Sequence, residues 1–475
     1  MAGRGAKIET LARGLAAAAA AVAVSLALGS AGGSPVRPNI LLVSIDTLRR
    51  DHVHCYGYAR ETTPAIDALA REGVRFDDAI SVSSWTLPAH VSLLTALPPG
   101  IHRVYRPGSR IPEAVTTLAE VLHRAGYATA GFVSGPFLRS LYNYGQGFDL
   151  YDDSTSARGL GASHRGITSP RLLSLVTAWL DGWRVRRAGR PFFLFVHMWD
   201  PHYDYEPPPP YDRLFDPGYR GTVTGRDFER GKAVHPGMDP RDLAHVIALY
   251  DGEIRFTDEH LGRLIAWLRR SRVLDDTIVV VTSDHGEEFF EHGQKGHQKT
   301  LYDELIRIPL VMRYPRRIRP GSVFGRQVRL VDVAPTILGL AGVSAPDGFG
   351  SGLASPGRER DLSPWLGGER PARTAPKLVA FSRLGLWSRL ESARTPRWKV
   401  VLGGRRRRLE IYDLRRDPDE RRDLSARAAR SGQAAALAEL VRRRRRALAA
   451  RAYPPEHVAL PAEHVDRLRA LGYIR

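Results

Sequence analysis

The chain has 475 residues, with 70 Lys and Arg against 51 Asp and Glu and a formal net charge of +19, a length that implies a large domain with a smaller one rather than one simple core. The excess charge is nearly all arginine spread along the chain and no recognition module is visible, so it implies no specific nucleic-acid partner; the densest runs, 405–408 and 442–446, read as solvated basic surface. A single cysteine, Cys55, excludes an internal disulfide and a cysteine-rich metal site.

Arg4, Lys7 and Arg13 precede an apolar run over 15–28 and small residues over 29–34. This is the pattern of an export signal and predicts a periplasmic or extracellular protein. The run is rich in alanine and short of the ~20 residues that span a bilayer, so an uncleaved N-terminal membrane anchor is the alternative. Residues 39–45 are continuously apolar and end at Asp46, which predicts a strand buried on both faces. Helices are predicted over 64–72 and 117–124, the second stopped by Gly126, and buried strands over 128–133, 192–196 and 277–282. Between the last two, Leu243, Ile247, Tyr250, Ile254, Leu261, Ile265 and Leu268 recur at roughly helical spacing and mark a long amphipathic helix. Strands alternating with helices give an α/β fold, a large mainly parallel sheet sandwiched by helices.

Residues 151–190 and 207–240 read as excursions that shape a pocket. In them or directly beside them lie Trp183, Tyr203, Tyr205, Tyr211 and Tyr219, which either stack on a substrate or pack as ordinary loop residues. A linker over 345–375 leads to strands at 378–381, 399–402 and 409–412, a smaller antiparallel α+β subdomain. The expected divisions are a leader 1–34, a main domain 36–345, a C-terminal subdomain 346–430 and an Arg/Ala-rich helical tail 431–475.

Thr86 lies at the mouth of a predicted helix, since Pro88 suits a first turn and residues 89–96 can continue it. Unpaired N–H groups and the helix dipole there attract an anion, so a hydroxyl at this place is set to attack a negatively charged group. Three buried strands end in polar residues: Asp46, then His197 with Asp200 and His202, then Asp284 and His285. The carboxyl ends of parallel strands share one rim, where ligands bind, so these residues are expected to converge. Carboxylates, an imidazole and a hydroxyl there suit a divalent cation. Residues 284–293 pack four carboxylates and two imidazoles into ten positions, a density that solvation alone rarely requires.

These segments resemble the sulfatase family, within the alkaline-phosphatase superfamily. The likeness runs through residues 39–57, 72–97, 126–129, 195–202, 282–309 and 409–424. Position by position, it implies that Asp46, Asp284 and His285 hold a metal, manganese, zinc or calcium, and that Thr86 is the nucleophile and a further metal ligand. His202 matches a substrate-contacting histidine, and His297 falls where the family usually has a catalytic lysine, with Lys295 and Lys299 as neighbours able to supply that cation. His90 stands in place of the arginine that holds sulfate and nucleophile, Thr47 in place of a second Asp ligand, and Ser134 and Pro136 in place of a substrate-binding Lys and His. A second metal near Asp200, His202 or His297 stays open.

The nucleophile itself departs most. Family sulfatases use a Cys or Ser converted to formylglycine, and a threonine oxidised at its secondary alcohol gives a ketone instead. A threonine nucleophile resembles that of phosphodiesterases and phosphotransferases in the same superfamily. The expected function is therefore metal-dependent hydrolysis of a phosphate mono- or diester with a small-molecule, glycan or lipid-headgroup leaving group. Sulfate-ester hydrolysis through unmodified Thr86 is the alternative, followed by phosphoryl transfer and by a catalytically silent binder of anionic polymers. Oligomeric state is not legible.

Overall fold

The computed structural model describes residues 37–156, 167–185, 190–226, 228–229, 231–350, 360–404, 408–428 and 432–474. The leader, the arginines at 405–407 and part of the linker lie outside the described residues. Among those described, no helix is long and apolar enough to cross a membrane.

Eight strands make the main sheet. In chain order they are β1 (Asn39–Ile45), β2 (Val74–Phe76), β3 (Ala128–Val133), β4 (Leu150–Asp152), β5 (Phe192–Met198), β6 (Thr277–Ser283), β7 (Leu310–Arg313) and β8 (Ser322–Phe324). They lie side by side in the order β8-β2-β7-β6-β1-β5-β3-β4. The run from β6 to β4 is parallel throughout, whereas β7 enters antiparallel to both β6 and β2. Apolar side chains alternate between the faces. Ile40, Leu42, Phe193, Phe195, Ile278 and Val280 feed one core, and Leu41, Val43, Leu194, Val196, Val279 and Val281 feed the other. Both faces being buried, these strands read as unbroken apolar runs.

The helices follow local signals. α1 (Pro64–Glu72) has proline in its first turn, and α2 (Thr86–Thr95) is buried along its whole length. α3 (Leu118–Arg124) begins with a capping box in which Thr117 and Glu120 exchange hydrogen bonds. α5 (Pro240–Arg270) is the long amphipathic helix, 31 residues with its apolar stripe on the core. One expectation changes: the excursion at 151–190 contains a 17-residue helix, α4 (Ser169–Val185), that buries Leu172, Val176, Leu180 and Trp183 in the core. Its apolar period was obscured by the polar residues that flank it.

Four antiparallel strands follow: β9 (Ala380–Leu384), β10 (Leu390–Arg394), β11 (Trp398–Gly403) and β12 (Arg408–Asp413). The polar β10, sequence LESAR, carries no apolar alternation and escapes sequence-based detection. α7 (Gly432–Ala449) buries Ala434, Leu437 and Val441 against Ala393, Val400 and Ile411 of this sheet. Helix α6 (Val333–Ala341) precedes the linker, and α8 (Ala462–Ala470) comes last.

A buried ionic cluster ties the small sheet to the main one. The Arg394 guanidinium reaches Asp303 at 2.7 Å and Asp78 at 2.8 Å, and Lys399 reaches Asp303 at 2.9 Å and Glu420 at 2.8 Å. Removing Arg394 leaves Asp303 with Lys399 and Asp78 with Arg307, so each carboxylate keeps one partner but loses its charged hydrogen bonds to the guanidinium. Arg394→Met is therefore expected to cost about 1.5–3 kcal/mol of stability. Thermal melting followed by circular dichroism checks this, and an unchanged transition would contradict it.

Candidate active site

Strand register produces the acidic pair. Ile45 at the end of β1 aligns with Ser283 of β6 and with Met198 of β5, so Asp46 and Asp284 emerge side by side. Both are fully buried, as are Thr86 and His285. One ligating atom each from Asp46, Asp284 and His285 lies within 4.8 Å of the others. Asp284 Oδ1 accepts the N–H of His285 at 2.9 Å and of Thr47 at 3.3 Å, and Ser81 Oγ donates to the Asp284 carbonyl. Thr47 is held there by a left-handed backbone, φ 54°.

Two atoms of this group lack partners. Among the described residues, Asp46 Oδ1 and Asp284 Oδ2 accept no hydrogen bond. His285 Nδ1 donates to the Gly286 carbonyl at 2.9 Å, which leaves the Nε2 lone pair facing the carboxylates. Two orphaned carboxylate oxygens and an imidazole lone pair fit a divalent cation. Burial lifts the Asp46 carboxyl to about 7, with His285 and the Thr86 hydroxyl pulling it back. A positive charge at this point would reverse that shift.

Thr86 is the first residue of α2. Its Oγ1 lies 3.3 Å from His285 Nε2 and 3.5 Å from Asp46 Oδ2. Trp85 before it is extended and supplies no side-chain cap, so the start of α2 keeps its positive dipole end and first N–H groups uncapped by that side chain. His90, one turn later, sits beneath Thr86. Its Nδ1 donates to the Thr86 carbonyl at 3.0 Å, and its Nε2 accepts from Ser44 Oγ at 2.9 Å. Burial drives its imidazole down to about 3, which favours a neutral ring at the position where the family has an arginine. His197 lies 3.2 Å from Asp46 Oδ2, with its other nitrogen on the Ser134 carbonyl.

The opposite side of the site is built from His202 and His297. His202 stacks on Trp199 at 3.8 Å and donates from Nδ1 to the Tyr203 carbonyl at 2.7 Å. His297 lies 4.4 Å from the His285 ring, and its Nδ1 meets Glu287 Oε1 at 2.9 Å. Tyr205 donates to the other Glu287 oxygen at 3.0 Å. Burial raises the Glu287 carboxyl well above the usual range and lowers His297, which favours a Glu287 proton donated to Nδ1 and an N–H on His297 Nε2 directed into the site. Tyr473, which follows α8, enters here. Its hydroxyl is 2.9 Å from His202 Nε2 and 3.1 Å from His297 Nε2.

Several residues singled out in the sequence point elsewhere. Asp200 accepts Thr168 N–H at 2.7 Å and Ser169 N–H at 2.9 Å and so caps the start of α4. Lys295 donates to the carbonyls of Gly231 and Val234, and Lys299 pairs with Glu229 at 2.6 Å. Lys299 acts on the site only through its charge, which lowers the pKa of both Glu287 and His297. The acidic run divides: Glu291 pairs with Arg49, and Glu288 accepts the N–H groups of His292 and Gln294. Of the five aromatic residues, only Tyr203 and Tyr205 border the site; Trp183 packs on Phe192 at 4.8 Å and Tyr219 stacks on His245 at 3.6 Å. Ser44, Glu287 and Tyr473 are additions.

An α/β sheet with buried carboxylates, imidazoles and a helix-capping hydroxyl at its carboxyl rim is the arrangement of an alkaline-phosphatase-like hydrolase. The sulfatase family profile matches residues 38–343. N-acetylglucosamine-6-O-sulfatase of Bacteroides thetaiotaomicron is 26% identical over 394 residues, 65% of this chain and 69% of that protein. Human arylsulfatase A is 28% identical over 399 residues, 72% and 70% of the two chains. The solved phosphonate monoester hydrolase of Agrobacterium radiobacter superposes with a TM-score of 0.68 at 24% identity, covering 87% of this chain and 96% of its own. The chain belongs to the sulfatase family of hydrolases.

Proposed function

We propose that the protein hydrolyses phosphate esters, with Thr86 as an unmodified nucleophile. The observation that carries this reading is the buried secondary hydroxyl at the mouth of α2, 3.3 Å from His285 Nε2 and facing Asp46. Asp46, Asp284 and His285 would hold a divalent cation, manganese, zinc or calcium, with Thr86 beside it. When bound, that cation supplies Lewis-acid stabilisation of developing negative charge and eases deprotonation of the hydroxyl.

The chain's own groups account for the remaining steps. Thr86 Oγ passes its proton to Asp46 Oδ2, the carboxylate oxygen it faces at 3.5 Å, and attacks phosphorus in line with the leaving group, while the first N–H groups of α2 receive negative oxygens. The bond from phosphorus to the leaving oxygen breaks, and that oxygen takes the proton on His297 Nε2 as the Glu287 proton moves to His297 Nδ1. Glu287 and Tyr205 keep His297 oriented for this. Water then attacks the phosphoryl group on Thr86 and gives a proton to His297 Nε2, the Nδ1 proton returns to Glu287, and the bond from phosphorus to Thr86 Oγ breaks as that oxygen takes its proton back from Asp46. His90 and His197 act as positioning residues, because each spends its ring nitrogens on neighbours below the reacting atoms.

The second reading is sulfate-ester hydrolysis by the same unmodified hydroxyl, favoured by the sulfatases among the relatives. Steady-state turnover of aryl phosphate, phosphodiester, phosphonate and sulfate esters across a manganese, zinc and calcium series separates the two. The phosphorus esters are expected to be cleaved faster than the sulfate. Faster sulfate turnover would replace the first reading by the second.

A further inference from the structure

The tail reaches into the catalytic chamber. Glu456 and His457 pair with Arg110 and Ser109 as a short antiparallel bridge, and α8 follows. His464 on α8 meets Tyr142 Oη at 3.0 Å and Arg139 at 3.2 Å, and Leu468 and Leu471 are buried in the main core. Gly472, with φ 76°, then turns the chain back, so that Tyr473 N–H donates to the Leu468 carbonyl at 2.8 Å. This turn drives the Tyr473 ring under the helix. The ring packs edge-on against Phe137 at 4.4 Å, and Tyr203 Oη donates to the Leu471 carbonyl at 3.3 Å.

The hydroxyl's position is the informative part. It carries one proton and touches two imidazoles. His202 Nδ1 already donates to the Tyr203 carbonyl, so its Nε2 is an acceptor and takes the Tyr473 proton. His297 Nε2–H must then donate to Tyr473 Oη. The phenol oxygen thus receives the hydrogen bond that the proposed mechanism gives to the leaving oxygen. Tyr473 is 1% exposed, and Thr86, Asp46, Asp284 and His285 are all at 0%. An ester cannot place its leaving oxygen beside His297 while the phenol oxygen is there.

We propose that Tyr473 is a built-in occupant of the leaving-group subsite. Its phenol stands where the alcohol or phenol released from the ester would lie, and substrate binds by displacing residues 471–474 while α8 stays docked. The proposal rests on the reading of His297 and His202 as the leaving-group side. It makes Tyr473 a specificity-determining residue: a leaving group must compete with a tethered phenol for two imidazoles and the edge of Phe137. Ring-shaped, hydroxyl-bearing leaving groups match that requirement best.

The test uses the full chain with Tyr473→Ala and Tyr473→Phe. Binding of para-nitrophenol, read by calorimetry, needs no turnover and reports the subsite directly. A subsite that Tyr473 fills about 90% of the time gains about tenfold in affinity when the side chain is removed. Tyr473→Ala is therefore expected to bind para-nitrophenol about tenfold more tightly and to lower KM for its phosphate ester, with kcat held within about threefold. Tyr473→Phe keeps the packing on Phe137 and loses both hydrogen bonds, so it should tighten binding by a smaller factor and covers the case in which alanine destabilises the tail. Equal or weaker binding in both variants overturns the proposal, as does a large loss of kcat at constant KM, which would make the hydroxyl part of the chemistry. Tighter binding in a protein that cleaves no ester keeps the occupant and removes the reaction, so the two ideas fail separately.

Discussion

Thr86→Ala is expected to lower kcat/KM for the best phosphate ester by about 10⁴-fold or more, the scale on which loss of a covalent nucleophile acts. The substitution removes a hydroxyl and a methyl from a fully buried position but leaves the helix start intact, because Trp85, not Thr86, is the residue before α2. Its bonds to His285 and Asp46 are long, 3.3 and 3.5 Å, so little folding energy rests on them. Circular dichroism and melting should match the parent protein. Thr86→Ser is the informative companion, since it keeps the attacking oxygen, and it is expected to retain measurable turnover. Alanine variant activity near the parent level would remove Thr86 from the mechanism.

Asp284→Asn has the second large effect, with two readouts of opposite sign. Asparagine keeps the carbonyl oxygen that accepts the His285 and Thr47 N–H groups and loses only charge. Outer partners of metal ligands already contribute 10–100-fold to affinity, so loss of the charge on a direct ligand should weaken divalent-cation binding by about 100-fold or more. Metal-free protein should respond the other way. Two carboxylates buried within 4.8 Å repel each other, and removing one charge relieves this, so the metal-free variant should melt higher than metal-free parent. The stabilisation that added metal confers on the parent should vanish in the variant. Metal titration by calorimetry together with melting in chelator checks both, and unchanged affinity would exclude Asp284 as a ligand.

The central sheet was legible because buried parallel strands write themselves as apolar runs ending in a polar residue. β1, ending before Asp46, and β6, ending before Asp284, follow this rule, and their shared register could be inferred from topology alone. The metal-type cluster was legible for the same reason. Side-chain direction was not. Asp200 and Asp46 both end a strand region, yet one caps α4 and the other faces Thr86, a choice made by where α4 starts. Lys295 and Lys299 flank His297 in sequence, but only the middle residue of that turn faces inward. β10 escaped because a strand covered by a helix and an ionic cluster needs little apolar alternation. Tyr473 escaped because its contacts span more than 170 residues of sequence: it touches His297, 176 positions away, and nothing local announces that.

Quenched-flow labelling tests the central claim most directly. The protein is mixed with an aryl phosphate carrying radioactive phosphorus, stopped in acid within one turnover, digested and mapped. Label on the peptide containing residues 84–95, located at unmodified Thr86 and absent from Thr86→Ala, is the predicted result. Rapid turnover with no label on that peptide, or with residue 86 found chemically altered, would contradict a threonine nucleophile.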